Sequence, residues 1–352
     1  MAVYKIFPEK DAFILSQYPA QNTGRDEVLE VSNENGINVD SSAAGDLPAV
    51  KRSLIQFSTT DISNVITNKI GDASFQSNLN LYLATAGNLP LNYTIEAYPV
   101  TQSWNMGTGR VGDSPKTENG VSWTWRLDSG SGAWATEGGD WLVTPASSQS
   151  FTYTSDKDVS MDVTTIVDSW NSGSIDNNGF IIKLDDSIEF SASYVETSYF
   201  SVDTHTIYPP DLEFKWDDST YSTTLTQVTS SDFVAKVTNL KSEFEDTSIY
   251  KFKVKARDTF PTRAFQTSSV YLDAKALPTS SYWGLKDVKT GEMVVDFDTN
   301  YTKISADNES NYFTVYMDGL EPERYYQVAI KTVVEGETLV IEDKTNYFKV
   351  VR

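Results

Sequence analysis

Chemistry in this chain would have to come from a short list of side chains. There is one histidine, His205, in SVDTHTIYPP, and there is no cysteine. A lone histidine works as a general base only with an oriented partner and a pocket, and no motif around His205 supplies either, so a structural hydrogen-bonding role is expected. Without cysteine, disulfide, zinc-finger and thiol chemistry are closed. No nucleophile elbow is present. The segment MGTGRVGD (Met106 to Asp113) contains G-x-G, but lacks the strand-then-helix frame of a dinucleotide or phosphate loop. The 49 acidic residues could furnish a carboxylate pair for glycoside cleavage anywhere, which makes such a pairing uninformative. Asp185-Asp186 and Asp217-Asp218 fit no compact calcium loop and read as solvated turns. The expectation is no enzyme, with no catalytic, cofactor-binding or metal-ligating residue.

Four tryptophans offer a different chemistry. Trp123, Trp125, Trp134 and Trp141 fall within the Gly- and Ser-rich stretch 106–150, where exposed aromatic faces could stack on the apolar faces of sugars while neighbouring Asn and Asp bond hydroxyls. The structural alternative makes SWTW a strand edge with one Trp buried, and has Trp134 and Trp141 pin the long loop to a sandwich. Trp104 and Trp170 are assigned to core.

The elements that must position these residues are mostly strands. Aromatics are 12% of the chain and charged residues only 22%, with Ser, Thr, Asn and Asp filling the polar remainder, a composition that favours strands and turns. The clearest stretch is Met161 to Lys183. There Val163, Ile166, Val167 and Trp170 form one apolar face of a two-turn helix, Asp162 sits where a carboxylate can accept first-turn N–H groups, and Gly179 releases the chain into a strand from Phe180. Period-two patterning marks strands at Tyr4 and Ile6, Phe13 and Leu15, Leu54 to Phe57, and Leu79, Leu81 and Leu83. Residues 32–48 read as a surface loop, and Phe190 to Val202 as a final strand pair. At 352 residues two or three domains are expected, with a boundary at Tyr208-Pro209-Pro210. Beyond it, Phe233, Val237, Leu240, Tyr250, Phe252 and Val254 are echoed by Phe313, Met317, Leu320, Tyr326, Val328 and Ile330. The two halves, 211–276 and 277–352, read as duplicated small sandwiches, each short for an independent domain, with a shared core as the alternative.

A net charge of −21 without a Lys/Arg cluster argues against a nucleic-acid partner, because counterion release needs clustered cations. No apolar stretch reaches the length of a membrane span, and MAVYKIFPEKDAF has no signal-peptide core. Synthesis in a cytoplasm without classical export is expected.

The spacing DVTxxVxxWxxGxxxNxGFxI resembles the closing motif of the DNRLRE-type β-sandwich family, a jelly-roll module akin to carbohydrate-binding modules. DAFILSQYPAQNTGRDEVLEV (11–31), KRSLIQFSTTDI (51–62), LNLYLA and TIEAYPVTQSW stand upstream in that family's order. The resemblance covers about residues 1–207 and implies a jelly-roll β-sandwich. GLEPERYYQVAIKTV resembles the fibronectin type III pattern through Leu320, Pro322, Tyr326, Val328 and Ile330, which implies a tyrosine corner. The fold class expected is therefore all-β: a jelly-roll sandwich with one short helix, then one or two immunoglobulin/fibronectin III-like sandwiches at 211–276 and 277–352. The ending GEMVVDFDTNYTKISADNESNYFTVYMDGLEPERYYQVAIK and the junction FSVDTHTIYPPDLEFKWDD are similar to those of tailed-phage virion proteins that decorate a neck, collar or tail. That resemblance implies other virion proteins and symmetric copies of the chain as partners. A host-surface glycan is the partner under the alternative, adhesin reading.

Overall fold

The computed structural model describes residues 2–34, 49–261, 274–343 and 346–352. The chain is all-β. In order it forms β1 (Ala2–Ile6), β2 (Lys10–Leu15), β3 (Val28–Glu34), β4 (Ala49–Gln56), α1 (Thr59–Asn64), β5 (Phe75–Leu81), β6 (Leu83–Gly87), β7 (Asn92–Pro99), β8 (Ser147–Thr152), β9 (Val159–Asp162), α2 (Thr164–Asn171), β10 (Phe180–Leu184), α3 (Asp186–Glu189) and β11 (Val195–Phe200). Then follow β12 (Asp211–Trp216), β13 (Phe233–Val237), β14 (Glu243–Glu245), β15 (Ile249–Asp258), β16 (Ser281–Asp287), β17 (Met293–Val295), β18 (Ser305–Ala306), β19 (Asn311–Tyr316), β20 (Tyr325–Val334), β21 (Glu337–Glu342) and β22 (Phe348–Val351). Two compact units result: Ile6–Lys69 with Gln76–Glu213, and Phe214–Arg352 with Met1–Lys5 and Ile70–Phe75.

In the first unit the strand order is β6-β11-β3-β4-β10-β7-β8, with β2 also paired to β4 off this path. Chain neighbours are rarely sheet neighbours, the signature of Greek-key winding. β10 lies between β4 and β7, with Phe180 opposite Ile55 and Pro99, so FIIKL is buried along its whole length. Gly179 enters this strand at φ +87°, where a Cβ would stand 2.3 Å from the Ile55 carbonyl oxygen. α2 buries Ile166, Val167 and Trp170, and Trp170 packs against Phe180 with ring centres 4.6 Å apart. The Asp162 carboxylate accepts from the Thr164 N–H at 3.0 Å. The expected helix and its face are present; the cap position itself falls on Val163, which makes no side-chain cap bond, and Asp162 serves the Thr164 N–H from one residue before it.

Other expectations are corrected. Ser32 to Glu34 belong to β3 rather than to a loop, and the rest of the expected 32–48 loop lies outside the described residues. The helical stretch at 59–70 is an addition: Ser58 caps α1 through its Oγ, which accepts from the Asp61 N–H, and a π-helical turn over Val65–Ile70 continues it. Phe190 to Val202 holds one strand, β11, not a pair. Pro209 and Pro210 precede a strand, β12, in which Leu212, Phe214 and Trp216 are buried, so the division between units falls within that strand. Tyr4 belongs to the second unit, where it meets Tyr316 edge-on at 6.3 Å.

The second unit is a single immunoglobulin-like sandwich. One sheet runs β13-β15-β19-β18 and the other β14-β22-β20-β16-β17, with β21 on β20. Strands from both halves of the echo pair directly, Phe252 opposite Phe313, and β14 runs parallel to β22. Phe252, Phe313, Trp283, Tyr326 and Phe348 occupy one core. The shared-core alternative holds because neither half owns two complete sheets.

The tyrosine corner is formed: the Tyr326 hydroxyl donates to the Glu321 carbonyl at 2.8 Å, and Tyr326 is buried. Burial pushes its phenol well above the ordinary range, with the Glu321 charge adding to the effect. Tyr326→Phe keeps the ring and strands one carbonyl. The expected loss is about 1–2 kcal/mol, read as a lower denaturation midpoint at unchanged slope.

Candidate functional site

The long segment between β7 and β8 carries every residue proposed for sugar stacking, and it is held from within. Asn22 is fully buried. Its Nδ2 donates to the carbonyls of Met106 (2.7 Å) and Val121 (2.8 Å), and its Oδ1 accepts from the Gly109 N–H (2.8 Å) and the Gly24 N–H (3.2 Å). The neighbouring Gln21 Nε2 donates to the carbonyls of Arg110 and Val111. This explains the G-x-G of MGTGRVGD. Gly107 sits at φ +80°, where a Cβ would be 2.2 Å from the Asn22 Oδ1, so its lack of a side chain admits an amide instead of a phosphate.

The four tryptophans have separate fates. Trp123 and Trp134 are buried in a cluster with Ile14, Leu54, Trp104 and Ile181, and the Trp134 indole donates to the Ser122 carbonyl at 3.0 Å. Trp141 packs against the same cluster half-buried. Trp125 is also half-buried, bridged through its backbone to Ala133. Trp104 and Trp170 are core, as expected, and the Trp104 indole donates to the Asn178 carbonyl at 2.9 Å.

Beneath these rings lies a charged centre that motif reading did not find. Arg52 on β4 donates through Nε and Nη2 to both oxygens of Glu189 on α3, each at 2.7 Å, and through Nη1 to the Gly138 carbonyl at 2.7 Å. Its guanidinium lies 4.9 Å from the Trp123 ring centre and 5.0 Å from that of Trp141. Lys183 on β10, 1% exposed, donates to Asp186 at 2.7 Å and to the Leu184 carbonyl at 2.6 Å, with Glu189 at 3.6 Å and Glu96 at 3.7 Å. The Lys183 hydrogen bond, and then its charge, hold the Asp186 carboxyl below its usual range. These cations are turned onto protein groups, so the centre ties α3 and the loop at Gly138 to the sheet.

The open polar feature is a groove of about 220 Å³ on the face of β6, β11 and β3. Glu30, Ser32 and Glu34 alternate along β3; Glu196 and Ser198 stand opposite Ser32 and Glu30, and Thr85 stands opposite Ser198. Lys51 bonds both Glu30 and Glu34. Burial alone would lower the Lys51 pKa, but these two carboxylates outweigh it and hold the ammonium above its ordinary value. The Ser32 hydroxyl is buried with no protein partner. The signal for this groove was in the sequence, as polar residues at every second position of VLEVSNE, but only the β3–β11 register brings its two rows together.

The remaining candidates are ordinary. His205 is exposed, 3.8 Å from a Glu27 carboxylate oxygen. Asp185 caps α3 through the Ser187 N–H, and Asp217 accepts from the Ser219 N–H and hydroxyl. Among the described residues no group of three or more His, Cys, Asp or Glu side chains could hold a metal ion, and no helix is long and apolar enough to cross a membrane. No family model matches the chain, and no curated protein matches it.

Proposed function

We propose that this chain is a non-enzymatic structural protein of a tailed-phage virion, part of a neck, collar or tail, acting through protein–protein contacts in a symmetric assembly with other virion proteins. The virion part rests on the resemblance of the chain's ending and of its 200–218 junction to such proteins. The contact role is supported by one observation: the side chains best suited to chemistry, Arg52, Lys183, Glu189 and the loop rings Trp123, Trp134 and Trp141, are engaged in internal packing and ion pairs. Sandwiches with long loops locked in this way present fixed surfaces and strand edges, which suits docking between subunits. Cryo-electron microscopy of purified particles is the test. Density for these two units in symmetric copies is expected at the head–tail junction or along the tail; particles without it overturn the reading.

A carbohydrate-binding adhesin is the second reading, favoured by the hydroxyl- and carboxylate-lined groove on β3 and β11. It predicts saturable binding of a host-surface glycan that falls at least tenfold, or about 1.4 kcal/mol, in Glu196→Ala or Ser198→Ala, both in the groove, with the melting temperature unchanged. Trp123→Ala is a poor probe because that ring is core. Equal binding by parent and variants removes this reading.

A further inference from the structure

The second unit leaves two strand edges open on one side of its sandwich. Among the described residues β13 pairs only with β15, and β21 only with β20. Both edges border one apolar slot, lined by Val237, Leu240, Val328 and Ile341, and the Lys236 ammonium reaches Asp343 across it at 3.5 Å. The two strands run the same way. β21 and β22 are each antiparallel to β20, and β14 is parallel to β22. The chain then doubles back at 246–248, where the Ser248 N–H donates to the Glu245 carbonyl, into β15, which is antiparallel to β13.

The phase of the free backbone groups follows from bonds at the strand ends. The Thr238 N–H donates to the Lys253 carbonyl and the Thr259 N–H to the Asp232 carbonyl. Even-numbered residues of β13 therefore bond to β15, and Ala235 and Val237 turn their N–H and C=O groups outward, while the Phe233 N–H donates to the Ser231 carbonyl. β20 and β21 are joined by Glu335 and Gly336, at φ +52° and +82°, the pattern of a two-residue hairpin turn closed by a bonded Val334–Glu337 pair. Thr338, Val340 and Glu342 then point their backbone groups outward. The side chains alternate in the opposite sense on the two edges: Ala235 faces the core, whereas Val340 is 53% exposed and Val234 on β13 is 41% exposed.

In a parallel pair, a residue whose backbone groups point at the neighbour sits opposite one whose groups point away. Parallel addition of β13 to β21 therefore aligns both the backbone groups and the faces. With Ala235 opposite Ile341, the exposed Val234 and Val340 meet, and Lys236 meets Glu342. Glu342 already accepts from Lys286 at 3.2 Å, and a carboxylate has acceptor positions for a second cation. We propose that this edge is an interface with a second copy of the chain: β13 of each copy adds in parallel to β21 of the other, about a twofold axis running along the strands. The occupant is a copy because the edge carries both halves of the match, valine for valine and lysine for glutamate, in a chain whose net charge of −21 opposes unspecific self-contact. Antiparallel pairing of β21 with itself would bring Glu342 no lysine from the partner's β13, whereas in the parallel arrangement the partner's Lys236 adds Glu342 to the Asp343 it already reaches in its own chain. The inference goes beyond the virion reading, since it needs no other protein.

The test uses the intact chain in analytical ultracentrifugation and oxidative cross-linking. A concentration-dependent dimer is expected. Lys236→Glu or Glu342→Lys each weakens it by about tenfold, because every reversal acts twice in a twofold dimer, and the double swap restores it. In this cysteine-free chain, Val234→Cys with Val340→Cys yields disulfide-linked dimers, while neither single variant does; thermal melting of each variant confirms that it is folded. A monomer up to about 1 mM, where association is worth only about 4 kcal/mol, overturns the proposal. So does a dimer indifferent to Lys236→Glu, or cross-linking by Val340→Cys alone. A monomeric chain that still enters particles would sink the dimer and leave the virion reading standing.

Discussion

Glu189→Ala is expected to lower the stability of the first unit by about 3–5 kcal/mol, the range for breaking a buried ion pair by removing one partner. Glu189 is 1% exposed and takes both forks of Arg52 while lying 3.6 Å from the buried Lys183 ammonium. Its loss leaves Arg52 with the Gly138 carbonyl and two aromatic faces, and Lys183 with Asp186, Glu96 and a carbonyl. Two cations then share a dry site without the anion that made it tolerable. Glu189→Gln retains the shape and some acceptor capacity and should fall between. Replacing Arg52 by Met together with Glu189 by Leu removes both charges and should recover much of the loss. Urea denaturation followed by tryptophan fluorescence reads the change, because Trp123 and Trp141 flank the centre. A loss below about 1 kcal/mol would place the pair among exposed ion pairs and contradict the geometry.

Stability should also fall as pH rises from about 4 to about 7, against the usual trend for carboxylates. Asp11 on β2 is buried, and its carboxylate accepts from the Val202 N–H at 2.7 Å. Desolvation pushes its pKa up to about 7; the Val202 bond opposes this and the nearby Asp203 charge assists it. The folded state therefore holds a proton that the unfolded state has released near pH 4. The sign follows by linkage: the contribution is complete below the unfolded value and lost as pH rises through the folded value. A displacement of that size is worth a few kcal/mol at most. Asp26 adds in the same direction, pushed up to about 6 by burial, opposed by the Val111 N–H. Asp11→Asn imitates the protonated form, so it should flatten the slope between pH 4 and 7 and raise stability at pH 8. It also separates this effect from the general relief of a net charge of −21, which acid produces in parent and variant alike. A variant with the parent's pH profile would show that Asp11 titrates normally.

Much of the fold was legible because its signals are local. Val163, Ile166, Val167 and Trp170 repeat at helical spacing within one short segment, and the Asp162 carboxylate lies two residues from the N–H it accepts. The Tyr326 hydroxyl reaches a carbonyl only five residues upstream, so the resemblance of Leu320, Pro322 and Tyr326 to the fibronectin type III pattern was enough to imply the corner. The candidate site was not legible in this way. Four tryptophans in a Gly-rich stretch are compatible with an open platform or with a buried clamp. The choice depended on Asn22, which anchors the stretch from 84 to 99 residues away.

Composition, alternation and turn chemistry were enough to establish an all-β chain and the α2 helix with its Trp170 plug, and a local family-like pattern implied the Tyr326 corner, because each is decided by neighbours along the chain. Only the tertiary structure could decide that the described parts of 211–276 and 277–352 share one core, that Arg52 meets Glu189 across 137 positions, and that among the described residues β13 and β21 are both edge strands. Those outcomes depend on which strands pair and in what register. Strand pairing is settled by burial and desolvation summed over distant segments, and period-two patterns are alike in every strand that could have competed for the same place.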